Sequence, residues 1–175
     1  MDPSTRVHAR AATIDGRPGL AHSRTMKVSR KLKVVDQNEP ALIEAAAKAA
    51  DSAYAPYSRF TVGAAVRTKT GGIYIGCNVE NISYPVGVCA ERNAIAAAVS
   101  AEGRGVQIAS MAVVARNNGK EAPCSPCGAC RQALREFGKD IAVYYRWPAL
   151  EFKRSSAAEL LPDTFGFDKS PEARR

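Results

Sequence analysis

Three cysteines stand at three-residue intervals in the stretch APCSPCGACRQ, residues 122–132. Cys124 and Cys127 form one P-C-x-x-C spacing, and Cys127 and Cys130 form a second that overlaps it. Thiolates at this spacing are typical zinc ligands. The second pair leads directly into the helix-forming run RQALREF, where free backbone N–H groups at a helix start favour ionised sulfur. We therefore predict Cys127 and Cys130 as ligands, and Cys124 as a small buried apolar side chain.

Composition limits the choice of further ligands. The only two histidines, His8 and His22, lie within the first 35 residues. The remaining chain therefore has no histidine for a metal or for a Ser-His-Asp or Cys-His relay, and a metal site there must use thiolates, perhaps with carboxylates. Cys89 opens an alanine-rich predicted helix and is our third ligand, whereas Cys77, inside a predicted strand, is the alternative. Three protein ligands leave one tetrahedral position open, as in catalytic zinc sites.

Glu91 follows Cys89 by two residues, at the start of the same predicted helix. A carboxylate in this position can reach back over the helix end and cap it. Beside a metal-activated water molecule, the same group can act as a general acid and base. The residues alone are consistent with both interpretations.

These residues lie on elements that the hydrophobic pattern predicts as alternating helices and strands. Gly71 and Gly72 form a turn between two strands, which indicates a β-hairpin. The segment IASMAVVA is apolar nearly throughout, as expected for a strand buried on both faces. This alternation predicts a layered α/β domain. The predicted helices cover 38–54, 89–103, 130–138 and 156–162, and the predicted strands cover 60–68, 73–79, 108–115 and 141–145.

The net charge of +8 is concentrated near the N-terminus. Residues 1–35 hold eight basic and two acidic side chains, whereas residues 36–175 hold seventeen basic and fifteen acidic ones. The nearly balanced body argues against a nucleic-acid-binding face. We predict a basic, disordered extension over 1–35, a domain over 36–168 and a short tail over 169–175.

Cysteine usage and hydropathy bear on location. Five cysteines, an odd number with no secretory segment before them, favour metal ligation in a reducing compartment over disulfides. No apolar run approaches the ~20 residues that span a bilayer, so we expect no membrane partner. We expect a cytoplasmic protein, although the arginine-rich, acid-poor extension is also typical of an organellar import signal. An untargeted tail, or a start at Met26, explains the extension equally well.

The segments NVENISYPVGVCAERNAI and SPCGACRQALREFG together closely resemble the cytidine deaminase family, in its small zinc-dependent form. YAPYSRFTVGAAV upstream and ELLPDTFG downstream extend the resemblance, in matching order, over residues 38–166. Cys89-Ala90-Glu91 fits the three-cysteine variant of the zinc-deaminase signature. The resemblance implies a three-layer α-β-α sandwich around a mixed five-stranded sheet, and a homotetramer with sites shared between subunits.

The resemblance also implies a metal site and a reaction. Cys89, Cys127 and Cys130 would hold one zinc ion per subunit. Glu91 would move protons while an activated water molecule attacks C4 of cytosine. The enzyme would convert cytidine and deoxycytidine into uridine and deoxyuridine, in pyrimidine salvage. Because three thiolates outweigh the charge of Zn²⁺, we expect Arg92 to donate to the sulfurs of Cys127 and Cys130, with a solvated surface arginine as the alternative.

Contacts to the sugar are implied by Asn78 and Glu80. These residues lie two apart at the end of a predicted strand, so in extended backbone their side chains share a face, and in the family they bind the ribose hydroxyls. The alternative is an exposed polar face of an edge strand. A carboxylate near the sugar would repel a 5′-phosphate, which favours nucleosides over nucleotides.

Contacts to the base are implied by aromatic residues and by backbone. Phe60 matches a family residue that packs on the pyrimidine, and Phe165 matches another that comes from a neighbouring subunit. The backbone around Ala90 and the stretch near Tyr84 would complete the pocket. On sequence alone, each of the two phenylalanines is better explained as a core residue.

Other classes of function are consistent with parts of the sequence. A non-catalytic zinc-binding module would use Cys124 or Cys77 as a fourth ligand and leave Glu91 idle. A polynucleotide-editing relative is supported by the basic extension alone. Among the deaminases, blasticidin-type aminonucleoside enzymes share the CAE and PCxxC motifs, but Asn78, Glu80 and the SYPVG segment favour a nucleoside enzyme.

Overall fold

Segments with the apolar pattern of strands alternate along the chain with segments that have the pattern of helices. The strands form a mixed sheet, and the helices cover both of its faces. The computed structural model describes residues 39–166. The strands are β1 (Phe60–Thr68), β2 (Ile73–Cys77), β3 (Ile108–Asn117), β4 (Lys120–Ala122), β5 (Ala142–Arg146) and β6 (Phe152–Ser156). The helices are α1 (Glu39–Asp51), α2 (Ala90–Glu102), α3 (Gly128–Phe137) and α4 (Ala157–Leu160), with a 3-10 turn at Tyr84–Val86.

The sheet has the strand order β2-β1-β3-β5-β6, and the short β4 pairs with β3 beside this path. The β3–β5 pair is parallel, and the other pairs are antiparallel. The mixed five-stranded sheet predicted from the resemblance is therefore confirmed along the path, with β4 as a sixth strand.

Each face of the sheet carries its own helical layer, because successive strand residues point to opposite sides. On one face, Leu42 and Ala46 of α1 pack against a cluster that includes Ala65. On the other face, α2 and α3 pack against Ala64 and its neighbours on β3. The three-layer α-β-α arrangement is confirmed.

The strands β4 and β6 and the 3-10 turn are absent from the sequence prediction. The sequence of β6, FKRSS, is charged and has no apolar alternation, as is common in an edge strand that must not pair with other chains. Helix α3 begins at Gly128, two residues before the predicted start, with Cys127 as its N-cap. The predicted extension over 1–35, the tail over 169–175 and the first residue of the predicted helix 38–54 lie outside the described residues. Within residues 39–166, none of the helices has the length and apolar character needed to cross a bilayer.

Two glycines allow helices to lie directly on the sheet. A Cβ atom added to Gly76 of β2 would lie 2.4 Å from the backbone nitrogen of Ala94 in α2. A Cβ atom added to Gly63 of β1 would lie 2.0 Å from the backbone oxygen of Ala46 in α1. Both helices therefore approach closer than any side chain would permit.

Candidate zinc and catalytic site

Three cysteine sulfurs meet where α2 and α3 begin. Cys89 is the N-cap of α2, Cys127 is the N-cap of α3, and Cys130 lies in the first turn of α3. Their Sγ atoms all lie within 4.8 Å of one another, and those of Cys89 and Cys127 are 3.8 Å apart. Two sulfurs bound tetrahedrally to zinc at about 2.3 Å are separated by about 3.8 Å. The cluster therefore fits a zinc ion.

Contacts among the three cysteine thiols change the pKa values of two of them, Cys89 and Cys130, which bears on metal binding because zinc binds thiolates. Hydrogen bonding from the Cys130 thiol, with weaker contributions from Cys127 and Arg92, lowers the pKa of Cys89 to about 5 against the opposing effect of burial. The same bond raises the pKa of Cys130, which keeps its proton as the donor. Cys89 is therefore ionised at neutral pH, and zinc would displace the proton from Cys130.

The metal-ligand cluster uses Cys127 and Cys130, the predicted pair of the cysteine motif, and not Cys124. Within the described part of the chain, the Cys, His, Asp and Glu side chains that can share a metal are Cys89, Cys127 and Cys130, without a fourth. Cys124 packs beside the core, and burial raises the pKa of its thiol to about 12. Cys77 directs its thiol to the backbone oxygen of Ser52, 3.5 Å away. Neither cysteine closes the coordination sphere, which argues against a structural zinc module.

Glu91 lies in the first turn of α2 and is only 4% exposed. Burial raises the pKa of its carboxyl group, and the nearby negative sulfur of Cys89 raises it further, whereas a bond from its own backbone N–H opposes the rise. A buried carboxyl group with a raised pKa beside a metal-ligand cluster is typical of a general acid and base.

A cavity of about 490 Å³ opens above the sulfur cluster, within the size range of small-molecule sites. Seven of the residues predicted for the site line it: Asn78, Glu80, Tyr84, Cys89, Ala90, Glu91 and Cys127. Cys130 lies beneath, 1% exposed. Sequence analysis considered Cys124, as an alternative fourth ligand, and Gly87, within the SYPVG segment; it assigned no role to the other lining residues, which are Tyr57, Ser58, Val62, Val79, Asn81, Val88 and Ser125.

The two predicted aromatic contacts do not line this cavity. Phe60 begins β1 and is partly buried, and Val62, two residues further on the same face of the strand, lines the cavity instead. Phe165 is 77% exposed, and its backbone N–H and oxygen bond the side chain of Gln132. Its assignment to a neighbouring subunit's site stays a prediction.

Arg92 acts on the pKa of a different sulfur from the two predicted. Its guanidinium donates to the backbone oxygen of Gly87 at 3.3 Å and acts on the sulfur of Cys89. Side chains on a helix lean toward its N-terminus, so Arg92 reaches the N-cap of its own helix and not Cys127 or Cys130 on α3.

Asn78 and Glu80 follow β2 and are both tied to the start of β1. The side-chain amide of Asn78 donates to the backbone oxygen of Phe60 at 2.9 Å and accepts from the N–H of Val62 at 2.7 Å. Glu80 accepts bonds from the backbone of Tyr57 and Ser58 and from the Ser58 hydroxyl. Both side chains are thus held in place at the cavity wall.

A three-cysteine metal cluster beside a buried glutamate and an open cavity defines a zinc-dependent hydrolytic deaminase site. The family model of the cytidine and deoxycytidylate deaminase zinc-binding region matches residues 36–146. The chain belongs to this family.

Individual relatives are similar over most of their length. Cytidine deaminase of Sporosarcina psychrophila is 44% identical over 125 residues, which cover 71% of this chain and 88% of that protein. Cytidine deaminase of Mycobacterium tuberculosis is 40% identical over 131 residues, covering 74% and 91%. The crystal structure of cytidine deaminase from Burkholderia pseudomallei superposes with a TM-score of 0.63 at 45% identity and covers 72% of this chain and 98% of that one.

Proposed function

We propose that this protein is a hydrolase that deaminates cytidine and deoxycytidine at C4, giving uridine and deoxyuridine, with one zinc ion per subunit. The observation that carries the proposal is the buried carboxyl group of Glu91 in the same cavity as a three-sulfur cluster without a fourth ligand. The relatives named above are cytidine deaminases, and they do not favour the aminonucleoside alternative.

The chain's own residues account for the proton movements of this reaction. Zinc, when bound by the three thiolates, supplies the Lewis acid that activates water for attack on C4. Glu91 takes a proton from the water and gives it to N3 of the ring, then takes the proton of the hydroxyl formed at C4 and gives it to the departing ammonia. Its raised pKa suits both roles, because a carboxyl group whose pKa lies nearer to neutral pH can both accept a proton and return it.

The charges of the cavity favour nucleosides over nucleotides. Among the described residues that line it, two are carboxylates, Glu80 and Glu91, and none is lysine, arginine or histidine. A 5′-phosphate would meet these carboxylates without a balancing cation. We expect kcat/KM to be much lower for dCMP than for deoxycytidine. Comparable values for the two substrates would contradict this assignment.

We also propose a homotetramer in which Phe165 completes a neighbouring site. Apolar side chains near the cavity are exposed, most strongly Ile82 at 79% and Tyr84 at 77%, and Phe165 itself is 77% exposed. Clustered exposed apolar groups mark protein interfaces. Sedimentation equilibrium should give four chains per particle, and Phe165→Ala should raise KM without loss of bound zinc. A fully active monomer would contradict the shared site.

For location, we propose the cytoplasm, with import through residues 1–35 as the alternative. Fusion of residues 1–35 to a fluorescent protein distinguishes the two. Accumulation of the fusion in an organelle would contradict a cytoplasmic location.

The central test is the variant Glu91→Gln, assayed by the ultraviolet absorbance change on cytidine loss together with zinc per chain. We expect kcat to fall by about 10²–10⁴-fold, because the amide of glutamine cannot relay protons, while zinc content and thermal stability are retained. Glu44→Gln is the matched control, since Glu44 is an exposed carboxylate of α1. Zinc-loaded wild type that leaves cytidine unchanged would refute the proposed function. Substantial activity in Glu91→Gln would refute the role of Glu91.

A further inference from the structure

The carboxylate of Glu80 is held by two consecutive residues of the loop before β1. The backbone N–H groups of Tyr57 and Ser58 donate to Oε2, at 2.9 Å and 3.2 Å. The hydroxyl of Ser58 donates to Oε1. These bonds, that of the Ser58 hydroxyl above all, hold the pKa of Glu80 below its usual value, so the group stays an acceptor at neutral pH.

The Ser58 hydroxyl has no freedom to point elsewhere. Its Oγ accepts the backbone N–H of Phe60 at 3.0 Å. A hydroxyl carries one proton, and the oxygen of Ser58 is thereby oriented with that proton directed to Glu80. The bond therefore fixes the rotation of the carboxylate about its last torsion, which is otherwise broad.

The bonds also determine how many further groups Glu80 can bind. An ionised carboxylate has about four acceptor positions, two on each oxygen. On Oε2 both positions are taken by the N–H groups, and on Oε1 one is taken by Ser58. One acceptor position on Oε1 is left, and both Glu80 and Ser58 line the cavity.

We propose that Ser58 is a positioning residue for nucleoside recognition: its hydroxyl holds Glu80 so that a single acceptor position meets one hydroxyl of the sugar ring. The proposal rests on the proposed function and on the sugar contact of Glu80 that the resemblance to the family implies. Loss of the Ser58 hydroxyl leaves only the two backbone N–H bonds to Oε2, so Oε1 can turn and be solvated, and binding of a sugar hydroxyl must first order it again. The cost falls on substrate affinity, because Ser58 has no contact with the sulfur cluster or Glu91.

The test compares Ser58→Ala with Ser58→Thr, which keeps the hydroxyl, and with Ser52→Ala, a serine outside the cavity. With cytidine and deoxycytidine, Ser58→Ala should raise KM about tenfold, the usual effect of a hydrogen bond to a charged group, with kcat within about twofold of wild type. Ser58→Thr should restore KM, and Ser52→Ala should leave it unchanged. With 2′,3′-dideoxycytidine, which has no ring hydroxyl, Ser58→Ala and wild type should have the same kcat/KM.

A double-mutant cycle with Glu80→Gln completes the test. If Ser58 acts through Glu80, then Ser58→Ala raises KM in wild type but not in the Glu80→Gln background. An equal rise in both backgrounds, an equal loss with 2′,3′-dideoxycytidine, or no rise with cytidine would overturn the proposal while the deaminase function stands. Zinc-loaded wild type without activity on cytidine would overturn both.

Discussion

Gly76 of β2 provides a sharp test of how the helix that carries the catalytic glutamate is positioned. In the variant Gly76→Ala, the new Cβ would lie 2.4 Å from the nitrogen of Ala94 and 2.6 Å from the oxygen of Ala90, whereas ordinary contacts begin at 3.4 Å. The obstructing atoms belong to the backbone of α2, so no side-chain rotation relieves the clash. Helix α2 must therefore move away from β2 by about 1 Å.

This displacement reaches the site because α2 begins at it. Cys89 and Glu91 would shift relative to Cys127 and Cys130 on α3, whose positions depend on other contacts. A misplacement of about 1 Å can lower a rate about 100-fold. Overpacking typically costs about 1–3 kcal/mol, which corresponds to a fall in Tm of about 4–12 °C for a domain of this size. We expect kcat/KM for cytidine to fall about 100-fold, with weaker zinc retention during dialysis against a chelator.

The matched control is Gly63→Ala, which produces the same kind of clash on the opposite face of the sheet. There the Cβ would lie 2.0 Å from Ala46 oxygen and 2.3 Å from Ala50 nitrogen, both in α1. Gly105→Ala, where a Cβ meets nothing within 4 Å, gives the baseline. Thermal unfolding, zinc per chain and kcat/KM measured on folded protein should separate the variants, because α1 carries no site residue. The reasoning is refuted if Gly76→Ala loses stability but keeps wild-type kcat/KM and zinc.

Two further predictions concern the cysteines and the β1–β2 turn. Cys127→Ser should lose zinc and activity, whereas Cys124→Ser should keep zinc near one per chain, as measured by metal analysis. Equal losses of zinc in the two variants would contradict the assignment of Cys127, and not Cys124, as a ligand. Glu102 accepts bonds from Thr68 and Thr70, and the Thr68 hydroxyl above all holds its pKa below 4.5. Its stabilising effect is therefore complete above pH about 4.5 and lost as pH falls through the lower folded value. Glu102→Gln should flatten the acid limb of the Tm-against-pH curve, and an unchanged curve would contradict this.

The parts of the site that follow from local chemistry were predictable from sequence. The choice of Cys127 and Cys130 over Cys124 depends on which sulfurs stand at a helix start, and the helix is encoded by the residues that follow directly. Ser58 was not predictable in this way, because its bond to Glu80 joins residues 22 positions apart. The same holds for Val62 in place of Phe60: both lie on one face of β1, so strand periodicity alone does not distinguish them.

One feature of the topology explains why two separate helix starts form one site. Helix α2 leads into β3 and α3 leads into β5 through short loops, so each helix runs antiparallel to the strand after it. Because β3 and β5 are parallel neighbours and both helices pack on the same face, the two helices begin next to the same ends of these strands, their C-terminal ends. An antiparallel β3–β5 pair would separate Cys89 from Cys127 by about 30 Å, the length of a ten-residue strand such as β3. The parallel pair in an otherwise antiparallel sheet is therefore the element that converts two helix N-caps into a metal-binding cluster.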